Sequence, residues 1–246
     1  MARRIVLTSG KGGVGKSTLC LTLGRELAKS GANVVLLDVD VGLHNLDIIA
    51  GISQKIVFDV VDVIEEKVRL SQALIQDEQF SGLYFLPSCH LDNVGKVSVD
   101  GLKKVLKELE NFDYVLLDCP AGIDFGFHAS IFCASEAIIV TTPNLSSVNA
   151  ADKVASLLCN YNLVGVGLVV NRMQKVFLKK QQQFAENISK ALKLPLFGTF
   201  FENKEISKHL GVMKSQPSDR GFRKSATQFS NNVFYGNYEK QFLKGV

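Results

Sequence analysis

The sequence predicts an α/β fold: a single doubly wound, mostly parallel β-sheet flanked by helices. Two observations lead to this prediction. Short apolar runs alternate with segments of helical periodicity, and most of the runs are apolar at nearly every position. A strand needs such an unbroken run when both faces of a parallel sheet are covered. The length of 246 residues suits one large domain of this class.

The predicted elements alternate along the chain. In order, the strands read RIVLT over residues 4–8, NVVLLD over 33–38, LYFLP over 83–87, DYVLLD over 113–118, AIIVTT over 137–142, VGVGLVV over 164–170 and LFGTF over 196–200. The helical segments are 17–29, 57–66, 98–109, 147–160 and 178–192. This alternation predicts crossover helices between parallel strands, with ligands beyond the carboxyl ends of the strands. No linker or repeat interrupts it, so we predict one domain.

Charge and cysteine content restrict the class of protein. Basic residues number 28 and acidic residues 24, and the excess of +4 lies entirely in residues 202–246. So small an excess gives no argument for nucleic-acid binding by the domain as a whole. The five cysteines form no C-x-x-C pair, which argues against a zinc site or a disulfide framework and fits a reducing compartment. Without a signal peptide or an apolar run of about 18 residues, the expected location is the cytoplasm or an organelle stroma.

A glycine-rich motif lies between the first predicted strand and the first predicted helix. It reads Gly10-Lys11-Gly12-Gly13-Val14-Gly15-Lys16-Ser17, with Thr18 next, and matches G-x-x-x-x-G-K-[ST] in its proper strand–loop–helix context. Glycines let successive backbone N–H groups point at one anion, and the helix N-terminus adds partial positive charge. The motif therefore predicts a phosphate site, with Lys16 on the β- and γ-phosphates and Ser17 on Mg²⁺. The alternative is a glycine-rich turn with incidental lysines.

Three aspartates follow predicted strands. Asp38 and Asp118 end strands, and Asp40 lies two residues further into a loop. An aspartate at such a strand end in a P-loop sheet is placed to hold Mg²⁺, directly or through water, which predicts a metal site of Ser17, Asp38 and Asp118. Asp40 is the candidate for orienting the attacking water. The alternative role for Asp40 and Asp118 is a helix cap or a turn.

Lys11 is an additional lysine inside the loop. The general P-loop pattern does not require it, so spacing alone allows a solvated loop charge.

With Lys11, the loop resembles the deviant Walker A loop of the MinD/ParA ATPase superfamily. Further segments look like its MinD branch: VGLHNLD at 41–47, FDVVDVI at 58–64, QALI at 72–75, FDY at 112–114, DCPAGID at 118–124, and VTTP at 140–143 leading to SSV at 146–148. The resemblance covers roughly residues 3–200. It implies a Mg²⁺-dependent ATPase that acts as a switch in the placement of the division septum.

The resemblance also implies roles for individual residues. Lys11 corresponds to the signature lysine that reaches the phosphates of a partner subunit, so an ATP-bound homodimer is implied. Asp40 corresponds to the hydrolytic switch I aspartate, and Asp118 to the switch II aspartate near Mg²⁺. Asn171 corresponds to the position that reads adenine, and the adjacent Arg172 is assigned to the same nucleotide site. The implied partners are the inhibitor MinC, a topological factor such as MinE, and an anionic membrane surface.

Several positions depart from the family pattern. His44 stands where arginine is usual, and Asn144 where glutamate is usual. Asn149 and Ala150 replace an Arg-Asp pair. In the family these positions border the dimer face and the partner surface, so the departures bear on the identity of the stimulating partner more than on the nucleotide chemistry.

The C-terminal end contains two candidate segments. Phe222, Ala226, Phe229 and Val233 recur on one helical face, which favours a final core-packing helix over an anchor. We therefore predict an ATPase domain over residues 1–235 and a short tail over 236–246. Tyr238, Phe242 and Leu243 stand beside Lys240 and Lys244 in that tail. Its two interpretations are a weak amphipathic anchor on an anionic membrane, at the inner face of the cell membrane, and a solvated tail.

Other functions share this loop. A flagellar-number regulator of the FlhG type is the near alternative, and a ParA-like partitioning ATPase would need a DNA-binding surface. An iron–sulfur carrier would need paired cysteines, for which only Cys89 and Cys119 are candidates. A non-catalytic scaffold is disfavoured by the intact Lys16, Ser17 and aspartates.

Overall fold

An eight-stranded sheet forms the centre of the computed structural model, which describes residues 1–40, 45–88, 96–175, 178–203, 205–206, 213 and 217–236. The strands are β1 (Arg3–Thr8), β2 (Val34–Asp38), β3 (Ile75–Gln76), β4 (Leu83–Leu86), β5 (Tyr114–Asp118), β6 (Glu136–Thr141), β7 (Gly165–Met173) and β8 (Leu196–Phe201). Their order across the sheet is β3-β4-β2-β5-β1-β6-β7-β8. Every neighbouring pair is parallel except β3 and β4. The predicted doubly wound, mostly parallel sheet is confirmed.

Helices connect these strands on both faces. They are α1 (Lys16–Lys29), α2 (Asn45–Ala50), α3 (Val60–Ile64), α4 (Leu70–Ala73), α5 (Val99–Glu108), α6 (Phe125–Cys133), α7 (Leu145–Leu158), α8 (Leu178–Leu192) and α9 (Arg220–Phe234), with a 3₁₀ turn at Ser53–Lys55. The described part of the chain contains no helix that is both long enough and apolar enough to span a bilayer.

The sheet separates two hydrophobic cores. One face packs against α3, α5, α6, α7 and α8, and the other against α1, α2 and α9. The apolar stripe of α9 is buried on the second face, so the prediction of a final core-packing helix is confirmed. Phe229 lies edge-on to Phe200 of β8, with ring centroids 5.9 Å apart.

Strand order explains where a site can form. The central strand β1 lies between β5 and β6, so connections leave it in both directions and open a crevice above its carboxyl end. β2 and β5 end at the same level, because Asp38 and Asp118 are register partners. The glycine-rich loop follows β1 at this same edge.

The seven predicted strands and the five predicted helical segments are all present, with some differences in extent, and the structure adds elements that were not predicted. Sequence reasoning missed α2 and α4, which are too short to show a 3.6-residue period. It also missed α6, whose sequence FGFHASIFC is apolar on most sides and therefore lacks an amphipathic pattern. The predicted helix 57–66 is shorter in the structure, because Asp59 caps α3 by accepting hydrogen bonds from the amides of Val61 and Asp62.

Candidate functional site

The glycine-rich loop forms a cradle of backbone groups between β1 and α1. Gly13 and Gly15 have φ angles of 73° and 98°, left-handed conformations that favour glycine. No side chain caps α1 at Gly15, so the first amides of the helix lack a side-chain acceptor. A helix N-terminus of this kind binds a phosphate, because its N–H groups and dipole both favour an anion.

Lys16 and Ser17 begin α1 at the base of this cradle. The Lys16 side chain is buried, and its charge acts to lower the pKa values of Asp40 and Asp118. Ser17 also acts to lower the pKa of Asp118. The predicted phosphate-binding lysine, the predicted hydroxyl ligand and two of the predicted carboxylates therefore lie together.

Two buried carboxylates stand side by side at the ends of neighbouring strands. Burial, reinforced by the charge of Asp118, raises the pKa of Asp38 well above its ordinary value. Burial likewise raises the pKa of Asp118 to about 6. Among the described residues, neither oxygen of Asp118 nor Oδ2 of Asp38 accepts a hydrogen bond of ordinary geometry. Unpartnered carboxylate oxygens beside a serine hydroxyl fit Mg²⁺, which prefers oxygen ligands.

Asp40 lies next to this pair. Its backbone N–H donates to Oδ1 of Asp38 at 2.9 Å, and its own Oδ2 accepts from the side-chain amide of Asn45 at 3.2 Å. Burial raises the pKa of Asp40, and the Lys16 charge and the Asn45 hydrogen bond oppose that rise. α6 is capped by Asp124, so Asp118 does not have the alternative capping role.

Helix α7 packs against the outer side of the loop. The Lys11 ammonium donates to Oγ of Ser146 at 2.8 Å, so Lys11 is not a purely solvated charge. A Cβ atom on Gly10 would lie only 2.4 Å from the Ala150 carbonyl oxygen, which shows how closely loop and helix approach. Asn144, where the family usually has glutamate, caps α7 by accepting from the Ser146 amide at 2.9 Å.

A second part of the site lies at the end of β7. The Asn171 side-chain amide donates to the Val14 carbonyl at 2.8 Å, which ties β7 to the loop. Asn171 and Thr18 line a cavity of about 60 Å³ that continues to Phe201 and Asn203. Arg172 also lines this cavity, and it adopts a left-handed φ of 57° beside a β-bulge. It also lines an open groove of about 610 Å³ that includes Lys11.

Sequence reasoning did not assign two side chains that the structure brings into the site, Asn45 and Ser146. Both residues lie in segments that resemble the MinD branch, and this resemblance is the one sequence signal that could have identified them. Their partners Asp40 and Lys11 are positioned by other elements, so the contacts themselves are tertiary. Among the earlier expectations, those on His44, Cys89 and tail residues 237–246 lie outside the described residues.

The described cysteines do not form a metal site. Cys20, Cys119 and Cys133 are buried and Cys159 is exposed. Burial raises the pKa of the Cys119 thiol to about 12, so it remains protonated. Within the described ranges, no group of three or more His, Cys, Asp or Glu side chains could hold a metal ion.

Comparisons with known proteins agree with this geometry. The family model described as ParA: NUBPL iron-transfer P-loop NTPase matches residues 1–211. The septum site-determining protein MinD of Synechocystis sp. is 39% identical over 208 residues, which cover 84% of this chain and 78% of that protein. The MinC:MinD cell division protein complex of Aquifex aeolicus contains a chain that is 31% identical, with a TM-score of 0.81 and coverage of 95% and 96%.

A third relative is the septum site-determining protein MinD of Pyrococcus horikoshii complexed with Mg-ADP, which is 28% identical with a TM-score of 0.81 and coverage of 95% and 96%. The family model's name mentions iron transfer, but the described cysteines offer no paired ligands. The relatives named MinD match over most of their own length, and the P-loop, the paired aspartates and Lys11 occupy one site. The chain therefore belongs to the MinD family of cell-division ATPases, within the ParA group of P-loop NTPases.

Proposed function

We propose that this chain hydrolyses ATP as a dimerising switch in the placement of the division septum, with the residue roles given below. The protein is a MinD-like ATPase that uses ATP and Mg²⁺, and its function is in cell division. The observation that carries the assignment of roles is the juxtaposition of the cradle, Lys16 and the unpartnered carboxylate oxygens of Asp38 and Asp118.

The phosphates of ATP lie on the backbone amides of Gly10 to Ser17 in this proposal. Lys16 neutralises charge on the β- and γ-phosphates, and Thr18 and Asn171 adjoin the nucleoside. Ser17, Asp38 and Asp118 would hold Mg²⁺, which when bound neutralises phosphate charge during transfer. Asp40 orients the attacking water, with Asn45 holding its carboxylate. Phosphoryl transfer depends mainly on such positioning and charge, because it needs little covalent chemistry from the protein.

Dimerisation would use the loop face. Lys11 is a flexible point charge at the open groove, held by one hydroxyl contact to Ser146. In the proposed dimer it leaves Ser146 and reaches the phosphates of the ATP in the partner copy. Arg172 lies at the same groove, so the face presented to the partner copy is basic.

We also propose a MinC-like division inhibitor as a partner, because the Aquifex aeolicus relative occurs in a MinC:MinD complex. A MinE-like or other topological factor would stimulate hydrolysis. Asn144, Asn149 and Ala150 replace charged residues that are usual in the family. We therefore expect the stimulating factor to bind a less charged surface. Nucleic acid is not a proposed partner.

The proposed location is the cytoplasmic face of the cell membrane, or the stroma if the protein is organellar. Residues 1–235 would form the ATPase domain and residues 236–246 a weak membrane-targeting tail. One tail binds weakly, whereas two tails on an ATP dimer gain about 10²–10⁴-fold through effective concentration. Hydrolysis then releases the protein by separating the dimer.

The assignment of the site is tested by steady-state hydrolysis and nucleotide binding. We expect Asp40→Ala to lower kcat at least about 10²-fold while ATP still binds, because water orientation is lost but the cradle is not. Lys16→Ala should weaken ATP binding as well. The control is Asp100→Asn, an exposed aspartate on α5. Full hydrolysis by Asp40→Ala would refute the role given to Asp40.

The membrane role is tested by sedimentation with vesicles of phosphatidylglycerol and phosphatidylethanolamine. We expect the full chain to sediment with ATP but not with ADP, and a chain ending at Tyr235 to stay in the supernatant with either. Vesicles without anionic lipid serve as the control for charge. Equal sedimentation with ADP, or no loss on truncation, would contradict the proposed tail.

A further inference from the structure

A buried arginine occupies the middle of α1, away from the phosphates. Arg25 has a side chain only 1% exposed, although α1 otherwise buries mostly apolar residues at its core-facing positions. Burying a guanidinium is costly, and an apolar residue of similar size would usually stabilise the fold as well or better. Burial accordingly lowers the pKa of Arg25, against the opposing charge of Asp77. The position therefore needs an explanation beyond stability.

Arg25 joins two segments that are distant in the sequence. Its Nε and Nη2 atoms donate to Oδ2 of Asp77 at 3.4 and 3.2 Å, and its Nη1 donates to the Met213 carbonyl at 2.6 Å. Asp77 is itself fixed, because its Oδ1 accepts from the amides of Gln79 and Phe80. The rigid fork of a guanidinium can bind a carboxylate and a carbonyl at once, which lysine cannot do with the same geometry.

Met213 links Arg25 to α2, because its backbone is hydrogen-bonded to both. Its backbone N–H donates to the Ile49 carbonyl at 2.6 Å, and its side chain is buried in the core beside α1. Ile49 lies near the C-terminal end of α2, and Asn45 begins that helix and holds Asp40. The Leu46 amide, one residue further on, acts to lower the pKa of Asp38. α2 is thus bonded to the aspartates at its start and to Met213 near its end.

We propose that Arg25 is a positioning residue for hydrolysis, which acts through Met213 and α2 on Asp40. This inference rests on the role proposed above for Asp40. α2 has six residues, and so short a helix is not stable by itself. Its orientation therefore depends on tertiary contacts, which are its buried side chains in the core beside α1 and the hydrogen bonds at its two ends. When the Met213 contact is lost, α2 turns about its bonded N-terminus and moves Asn45 and Asp40. Displacement of a catalytic group by about 1 Å can cost about 10²-fold in rate.

The test removes the ion pair without leaving a buried charge. The double variant Arg25→Met with Asp77→Leu is apolar at both positions, and such replacements commonly preserve folding. We expect ATP affinity within about 3-fold of the parent and kcat lowered about 10–100-fold, because the cradle is intact and only the water-orienting group has moved. Arg25→Lys should be similarly impaired, since it retains the charge but not the fork.

Two comparisons separate positioning from general stability. The control is Arg3→Met with Glu136→Leu, which removes a less buried ion pair at the opposite end of the sheet, with the Arg3 contacts to the end of α9, and should leave kcat unchanged. In an Asn45→Ala background, the Arg25 and Asp77 changes should lower kcat by less than about 3-fold, because the connection to Asp40 is already broken. Thermal unfolding is followed for all variants.

Three results would overturn the inference. The first is an unchanged kcat in the Arg25 and Asp77 double variant. The second is an equal loss of kcat from that double change in the parent and in the Asn45→Ala background. The third is a loss of kcat in the Arg3 and Glu136 control in proportion to its loss of melting temperature, which would make general stability the cause. Each of these leaves the role of Asp40 intact if Asp40→Ala remains inactive. Full activity of Asp40→Ala would instead refute the proposed function itself.

Discussion

At the scale of single residues, Asp118 shows the free-energy cost of burying a carboxylate at the end of a central strand. Burial raises its pKa from 3.8 to about 6, so the folded apoprotein holds this proton more tightly than the unfolded chain does. The free energy of unfolding contributed by this group is therefore greatest below pH 4, falls as the pH rises towards about 6, and stays low above it. Ionised and without a cation, the carboxylate destabilises the fold.

Asp118→Asn should reverse this effect. We expect the Mg²⁺- and nucleotide-free variant to gain on the order of 3 kcal/mol in free energy of unfolding at pH 8 and almost nothing at pH 4. Urea unfolding in EDTA between pH 4 and 8 measures the difference. The same variant should lose Mg²⁺-dependent hydrolysis. A stability difference that did not vary with pH would show that the cause is not ionisation of this carboxylate.

At the scale of elements, the contact between the phosphate loop and α7 depends on the absence of a side chain at Gly10. A Cβ there would meet the backbone oxygen of Ala150 at 2.4 Å, whereas one on Gly12 would find only the Ala121 methyl at 3.8 Å. We expect Gly10→Ala to lower the free energy of unfolding by about 1–3 kcal/mol, because helix backbone cannot give way easily. Gly12→Ala should stay within about 0.5 kcal/mol.

Chemical denaturation of the two alanine variants, without nucleotide, provides the comparison. Nucleotide binding is measured alongside, since displacement of the loop in Gly10→Ala should also weaken ATP affinity. Equal stability of the two variants would show that α7 moves aside without cost.

Two phenylalanines of α9 allow a second comparison, between a buried and an exposed side chain of the same helix. Phe229 is fully buried against Phe200, whereas Phe234 is 54% exposed at the end of the same helix. We expect Phe229→Ala to cost about 3–5 kcal/mol of unfolding free energy, because it leaves a cavity in the second core. Phe234→Ala should cost about 0.5 kcal/mol or less. Thermal and urea unfolding would detect the contrast, and comparable losses would contradict the packing of α9.

Most of the helices and strands could be predicted from the sequence pattern. Seven of the eight strands and the helices α1, α5, α7 and α8 are long or apolar enough to show their period, so their existence could be predicted from the residues. α2 could not, because six residues span less than two turns. β3 was equally inaccessible, since two residues pair with β4 only after the chain has folded back.

At the scale of the whole molecule, Lys11 should connect nucleotide state to oligomeric state. It contacts Ser146 within one chain, and the proposed dimer requires it at the partner copy's phosphates. We expect Lys11→Ala to bind ATP but to remain monomeric, because the intermolecular phosphate contact is lost. Ser146→Ala removes only the contact within the chain and should still dimerise.

Analytical ultracentrifugation with ATP, under conditions that slow hydrolysis, measures both variants. The parent with ADP gives the monomer reference. A dimer of Lys11→Ala as stable as that of the parent would exclude a bridging role for this lysine.

The local features are readable from the residues alone: the phosphate loop after β1, the aspartates at strand ends, the burial of the sheet and the apolar stripe of α9. These are encoded in adjacent or periodically spaced residues, so they can be predicted without coordinates. Which side chains meet depends on the folded arrangement of the elements. Asn45 reaches Asp40, Ser146 reaches Lys11 across 135 residues, and Arg25 reaches Met213 across 188. Such contacts depend on strand order and on packing between elements, neither of which leaves a pattern in the local sequence.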